Sequence, residues 1–467
     1  MNVSRHVMRA LSSVARGQVK GVASALLAFG LVAGSVSGAH AEGFAISEWS
    51  ARGMALGGGA GGGMVARADD PSAVAYNPAG ITQIPGTAAQ MGLAVSMLNF
   101  DITRNDNHET VSTSNQAWTI PHFYVTHQLN DKWWLGIGAF TRYGLGSQFP
   151  DNWTARSVNT PLPPEMPVLA GGIKSVTLLS STINPNIAYK INDVFSVSAG
   201  VSYTWGYLSL NEQYNLEGAF INPLLGNGQA DARIHSENGY AFGYNFGLHA
   251  RFNDQWSAGL TYRASEDMSF KGSARFRFSG DPNTVNMVMK NVMQNCNADG
   301  KLSIPDVITL GVMYKPLPNL SFEGDVAYTV WSRYRNLTIN MHSDRTPQFF
   351  EQKNWRDTWA FTFGVEYAPI DWLTLRAGFT YETSPLQDTN CYDYLVPSNG
   401  RNYYTLGAGF KYENWTLDLA YMYIDVRDIN YKNRAGKQGT TDLISTYEGK
   451  AHNSYAHNIG LTIGYKF

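Results

Sequence analysis

Charge is what this chain has least of. Only 15% of its 467 residues are charged, against about 25% in an ordinary soluble domain. Low charge together with 44% hydrophobic residues excludes a disordered chain, which needs the opposite balance. Neither sign dominates, with 35 basic and 37 acidic residues, so nucleic acid is not expected as a partner. Cysteine is nearly absent. Cys296 and Cys391 are the two present, too few for a disulfide framework. They leave open a single bridge between two loops or two free thiols. Past residue 41 no apolar run approaches 18 residues, which excludes a transmembrane helix. No G-x-S-x-G or H-E-x-x-H setting occurs, and the glycines at 57–59 and 61–63 are not followed by Gly-Lys-Ser/Thr. Catalytic, metal and nucleotide signatures are thus missing, and the reading is of a protein that is not an enzyme and needs no cofactor or metal.

The first forty residues also lack something: acid. Arg5, Arg9, Arg16 and Lys20 precede the apolar run 22–36, and Ala39-His40-Ala41 follows. This is the layout of a cleaved signal peptide, 1–41, too short in its apolar part to span comfortably. Its removal leaves 31 basic and 37 acidic residues on a chain that has left the cytoplasm.

What the chain does have is glycine (46), tyrosine (26), phenylalanine (22) and tryptophan (12), arranged with period two. Ile459, Leu461, Ile463, Tyr465 and Phe467 alternate with Asn458, Gly460, Thr462, Gly464 and Lys466. Phe195, Val197, Ala199, Val201 and Tyr203 alternate with serines, Gly200 and Thr204. Period two places each set on one face of a strand, one face suited to lipid and the other small or polar. Tight-turn signals recur between pairs of such stretches and are followed by an aromatic or apolar residue, as in Asn130-Asp131-Lys132-Trp133 and Asn253-Asp254-Gln255-Trp256. Asn and Asp favour tight turns, and Trp favours the membrane interface. The spacing predicts an all-β protein, a 14-stranded antiparallel transmembrane β-barrel over 87–467. A soluble β-sandwich is the alternative, but it has no need of aromatics beside every tight turn.

Residues 42–86 do not alternate. They are too few to fold alone and are expected inside the barrel as a plug, which a general diffusion porin would not need. Within them Glu42-Gly43-Phe44, Ser47-Glu48-Trp49-Ser50, Ala68-Asp69-Asp70 and Asn77-Pro78-Ala79 resemble the N-terminal hatch of the FadL/TodX family of outer-membrane channels for hydrophobic compounds. The likeness continues through Tyr143-Gly144-Leu145 with Trp153 and Arg156, Thr261-Tyr262-Arg263-Ala264-Ser265, Trp331-Ser332, Thr383-Ser384-Pro385 and the terminal Tyr465-Lys466-Phe467. It implies uptake of hydrophobic compounds, long-chain fatty acids first and neutral aromatic hydrocarbons second. The steps are loop capture, binding in the lumen, hatch movement and sideways release at a kinked third strand. Phe44 would then contact ligand, Asn77, Pro78 and Ala79 would form the hatch, and Gly136, Gly138 and Gly144 would permit the kink, ordinary barrel curvature being the alternative. Phe467 is the expected signal to the barrel-assembly machinery, with outer-membrane lipid and lipopolysaccharide as surroundings and a monomer as the working state.

Residue chemistry adds further candidates. Asp281-Pro282 starts a helix that carries Val285, Val288, Met289 and Val292 on one stripe. The loop 218–225 presents Phe220 and Leu224. Ligand capture or packing between loops would cover this apolar surface. Glu323, Asp325, Glu366, Arg376 and Asp418 fall on lumen-facing positions, with Arg52 and Arg67 as partners from the plug. A fatty-acid carboxylate should meet a cation, yet 194–212 holds neither Lys nor Arg. Arg333 and Arg335 on the ninth strand are the remaining candidates.

Overall fold

The computed structural model describes residues 44–59, 61–105, 108–114, 116–150, 169–216, 226–346, 348–387, 398–435 and 445–467. The expected leader lies outside these, as do Glu42, Gly43, Trp153, Arg156, Phe220, Leu224 and Cys391, and the side chain of Val288.

Strands alternate along almost the whole described chain. They begin with β1 (Thr87–Arg104), β2 (Thr110–Ser112), β3 (Gln116–Gln128), β4 (Trp133–Phe140) and β5 (Leu145–Gln148). Three long strands follow, β6 (Leu169–Lys190), β7 (Phe195–Leu216) and β8 (Gly228–Arg251), and then β9 (Trp256–Arg263) and β10 (Glu266–Gly280). Then come β11 (Cys296–Ile304), β12 (Val307–Leu317), β13 (Leu320–Thr329), β14 (Asn336–Met341), β15 (Phe349–Gln352) and β16 (Thr358–Ile370). The series ends with β17 (Leu373–Glu382), β18 (Arg401–Tyr412), β19 (Trp415–Val426), β20 (Ile429–Ala435) and β21 (Ser445–Lys466). Every pairing is antiparallel, and the sheet closes on itself where β1 pairs with β21 from Ala88↔Lys466 to Arg104↔Gly449. Closure removes the free edges that an open sheet would expose.

The outer face is apolar and uncovered: Phe242 is 70%, Leu406 62% and Val201 61% exposed, while their neighbours Ala241, Thr405 and Ser202 are buried. In a soluble protein such a surface would not be tolerated; facing lipid it is required. The tight turns form as their sequences direct. Asn130 Oδ1 accepts from the amides of Lys132 (2.9 Å) and Trp133 (3.1 Å), and Asn253 Oδ1 from Gln255 and Trp256, both at 2.8 Å. Each turn thus delivers its aromatic residue to the first position of the next strand.

The expected 14 strands need correction: several strands are interrupted, so that among the described residues the sheet falls into 21 segments. Breaks fall at 141–144, 264–265, 305–306 and 330–335, among others. Asp306 explains three of them at once. Its side chain accepts from the Ser265 amide (3.0 Å) and the Tyr262 hydroxyl (2.7 Å), and its carbonyl accepts from Val330 at 2.9 Å. A short acid that serves several chain turns leaves no periodic trace in sequence. Cys296, expected in a loop, begins β11 and is a buried free thiol.

Candidate functional site

The segment ahead of β1 packs against the inner face of the sheet. It folds as two short helical turns, α1 (Ala51–Ala55) and α2 (Ala73–Tyr76), joined by glycines with left-handed backbone at 57–59, 62 and 63. Ser50 caps α1 by accepting from the Gly53 amide at 3.1 Å. A β-carbon on Gly53 would fall 2.1 Å from the Tyr76 hydroxyl, so the two turns touch only because that residue is glycine.

Two arginines of this segment, Arg52 and Arg67, and one of the wall, Arg376, meet at a single wall carboxylate. Glu366 on β16 receives Arg52 Nε at 3.0 Å, Arg67 Nη1 at 3.4 Å and Arg376 Nε at 2.7 Å. Arg52 also meets Asp69 and Asp70 at 2.7 and 2.9 Å, Arg67 lies 3.5 Å from Glu323, and Arg376 lies 2.6 Å from Asp418. Of the five charges expected to face the lumen, Glu323, Glu366, Arg376 and Asp418 are therefore joined to the two expected partners, while Asp325 is buried outside that network. Charges buried this deeply hold only when paired and hydrogen-bonded. A cavity open toward the tight-turn end is lined by Arg52, Asp69, Asp70, Glu366 and Lys466 together with Ile84, Pro85, Ala88 and Phe410, so charged and apolar groups share that end of the lumen.

Asn77, Pro78 and Ala79 lie at the start of a further helical turn. Asn77 is fully buried. Its side-chain amide donates to the carbonyls of Val65 (2.8 Å) and Leu248 (3.1 Å), which ties the segment to β8. Gly136 and Gly138 sit within β4, where added β-carbons would fall 2.8 Å from Val74 Cγ2 and 2.9 Å from Tyr124. Their small size makes room for the lumenal segment. Gly144 lies in the gap between β4 and β5.

That gap is where the chain's first described residues dock. Ile46 donates to the Arg142 carbonyl at 2.7 Å, Gly144 donates to the Phe44 carbonyl at 2.9 Å, and Ala45 forms an antiparallel bridge with Tyr143. Phe44 is 2% exposed and enters a nest of aromatic rings. Its centroid is 5.0 Å from Trp331, 5.3 Å from Tyr334, 5.9 Å from Tyr143 and 6.3 Å from Trp355. The contacts to Trp331 and Tyr334 are edge-on, the preferred aromatic geometry.

The nest was not read from the sequence as a site, although Tyr143 and Trp331 belong to the family likeness. Trp331, Tyr334 and Trp355 stand where strand alternation lapses, and a Trp off the lipid-facing phase was the available signal. Lys353 was also missed: it is 1% exposed, two residues from Trp355, and its amide donates to the Arg335 carbonyl at 2.8 Å.

Other candidates fall elsewhere. Arg333 and Arg335 are both exposed, and Arg333 is ion-paired with Asp306; the structure does not bring either guanidinium into the nest. The missing cation of β7 also has a physical counterpart. Ser202 and Thr204 donate to Glu266 at 2.7 and 2.8 Å, and Glu266 is ion-paired with Arg142. Met289 is fully buried in a cluster with Ala230, Val285 and Met293, covered by Tyr214, Phe276 and Phe278. At Met289, sheet and loop helix cover each other. Phe467 is 59% exposed and donates its amide to the Thr87 carbonyl at 2.9 Å. In the lumenal segment Glu48 is fully buried. Its carboxylate accepts from the Ser47 amide (2.9 Å) and Asn458 Nδ2 (3.2 Å), and burial pushes its pKa up to about 7.

A closed antiparallel barrel with a lipid-compatible exterior, its inner face in contact with the N-terminal segment, defines a bacterial outer-membrane β-barrel. Comparison with known proteins gives the family. Residues 32–467 match the model of the outer membrane protein transport protein family (OMPP1/FadL/TodX), and the chain belongs to that family. It is 24% identical to the long-chain fatty acid transport protein of Escherichia coli O6:H1, over 85% of this chain and 90% of that protein. A crystal structure of a Pseudomonas aeruginosa FadL homologue superposes with a TM-score of 0.74 at 19% identity, covering 91% of this chain and all of the other. The Ralstonia pickettii toluene transporter TbuX gives 0.60 at 18%, covering 88% and 99%. At these identities the two structures establish the shared fold.

Proposed function

We propose that this protein takes up hydrophobic compounds across the outer membrane, with the aromatic nest around Phe44 as the ligand site in the lumen. The observation that carries the reading is that Phe44 sits in the nest through a backbone docked on the β4–β5 gap. An apolar ligand entering the nest displaces the ring, and displacement strips the 44–46 backbone from the gap. Hatch movement and wall opening are then one event. A small apolar crevice bounded by Leu208, Ile234, Phe270, Leu302 and Ile339 offers apolar contact on the inner face of the sheet. The charged cluster of Arg52, Asp69, Asp70 and Glu366 on the way to the periplasm disfavours passage straight through, since an apolar solute would have to desolvate it. Exit sideways through the gap at 141–144 fits this polarity.

The favoured cargo is a long-chain fatty acid. Buried Lys353, next to the nest in the chain, is the group to meet its carboxylate. A second reading, a neutral aromatic hydrocarbon, is favoured by the fact that the nest already accommodates a phenyl ring. Equilibrium binding to the detergent-solubilised barrel decides between them, comparing a long-chain fatty acid, the matching alcohol and toluene on wild type and Lys353→Met. The fatty-acid reading expects the acid to bind tightest and to lose about tenfold in the variant, about 1.4 kcal/mol, with the alcohol unmoved. Equal binding of acid and alcohol transfers the assignment to neutral compounds. Binding of none of the three contradicts the uptake reading for these ligands.

A further inference from the structure

The outer face of the sheet beyond the membrane carries an arrangement that uptake does not use. β8 and β10 pair so that Arg233 lies directly opposite Arg275, and both are exposed. Arg277, Lys271 and Lys301 are exposed on the same stretch of β10 and β11. Like charges directly opposite on a sheet repel, so this register carries a cost. The neighbouring acids do not relieve it. Asp231 is 3.4 Å from Lys174, Asp299 is ion-paired with His342 and accepts from Asn340 at 3.0 Å, and Asp267 accepts from Ser303 at 2.9 Å. Among the described residues none of these five cations forms an ion pair.

The face and height of the cluster are both fixed. The alternate residues Ala230, Ala232, Ile234 and Ala274 are buried, and Phe276 packs with the loop helix that contains Met289. The cations therefore point away from the lumen. On β8 the exposed aromatic belt ends with Phe242 and Tyr240, the latter paired with Trp205. Arg233 stands seven residues beyond Tyr240, about 23 Å along the strand and about 17 Å of height once a tilt of 35–45° is applied. Aromatic belts mark the membrane interface. The cations thus lie at the level of the headgroup sugars of the outer leaflet, above the acyl chains. Between belt and cations, Tyr207 and His235 meet edge to face at 5.1 Å.

We propose that Arg233, Arg275, Arg277 and Lys271 form a binding site for the phosphorylated inner sugars of lipopolysaccharide. Guanidinium pairs grip phosphate in a bidentate manner, and a phosphate between Arg233 and Arg275 turns a repulsive register into an attractive one. The site fastens one glycolipid to the wall formed by β8, β10 and β11, apart from the 141–144 gap.

The test is calorimetric titration of the full-length detergent-solubilised barrel with deacylated, phosphorylated inner-core oligosaccharide, which removes any contribution from acyl chains. The dephosphorylated oligosaccharide and phosphatidylglycerol micelles serve as comparisons. The proposal expects binding by the phosphorylated sugar alone, weakening steeply with salt. Arg233→Ala/Arg275→Ala should lose at least tenfold, and Arg233→Lys/Arg275→Lys, which keeps the charge but not the bidentate grip, should fall between that variant and wild type. Folding of each variant is checked by heat-modifiable electrophoretic mobility, and the salt dependence on wild type tests the proposal without any variant. No binding by wild type, equal binding of the dephosphorylated sugar, equal binding of phosphatidylglycerol, or an unchanged affinity in a folded double-alanine variant each overturns it.

Discussion

Gly144 donates its backbone amide to the carbonyl of Phe44 at 2.9 Å, so the peptide that places a phenyl ring in the aromatic nest is also the one that pairs with the interrupted wall. Site occupancy and wall closure share one short stretch of backbone. If ligand replaces the ring, the pairing partner of 142–144 is withdrawn.

Phe44→Ala should therefore do two things. Removing a buried phenyl ring costs about 3–5 kcal/mol of local packing, here spent on releasing 44–46 rather than on unfolding the barrel. Hydrogen exchange at Ile46 and Gly144 should quicken, and apolar ligands should bind several-fold tighter once the internal competitor is gone. Weaker binding with unchanged exchange would mean that Phe44 helps build the site instead of filling it.

Glu366→Gln removes the charge that three arginines share. Breaking a buried ion-pair network costs about 3–5 kcal/mol, and the loss falls on the contact between lumenal segment and wall. Steady ion conductance in planar bilayers should rise well above that of wild type, because the segment no longer seals the lumen. Conductance at the wild-type level would show that Asn77 and the glycine contacts suffice.

Gly138→Val overfills a site where even a β-carbon would lie 2.9 Å from Tyr124 and 3.0 Å from Val74. The expected cost is about 1–3 kcal/mol, read as a lower unfolding temperature in the heat-modifiability assay. No shift would mean that β4 yields freely, favouring plain barrel curvature as the reason for glycine.

Glu48 gives the lumenal segment a pH dependence of definite sign. Its pKa rises from 4.5 unfolded to about 7 folded, so between these values the folded form binds more protons and its stability falls as pH rises. Protease cleavage within the lumenal segment should be slower at pH 5 than at pH 7.5 in wild type. In Glu48→Gln the two rates should converge. A variant that keeps the full difference would place the titrating group elsewhere.

Where one face meets lipid, the sequence announces the fold. Val201, Tyr203, Phe361 and Phe363 alternate with small or polar residues because water and lipid select opposite chemistry at every step. The ionic anchor was legible for a related reason: Glu366 and Arg376 at membrane depth demand partners, and Arg52 and Arg67 were the cations in the preceding segment. The nest was hidden because Phe44, Tyr143, Trp331 and Trp355 come from parts of the chain without periodicity. Arg333 was misplaced because strand phase is lost through 330–335, where Asp306 fixes the turn. The expected cation of β7 had no sequence substitute, since two hydroxyls serving Glu266 look like any polar pair.

The central claim is that cargo passes only when residues 44–46 leave the gap, and a reversible lock tests it directly. Ala45 and Tyr143 are antiparallel bridge partners, a spacing at which a disulfide can close. In Ala45→Cys/Tyr143→Cys, uptake of labelled fatty acid by intact cells should be lost under oxidation and restored by reductant. Uptake that continues unchanged in the oxidised, fully cross-linked protein would contradict the account.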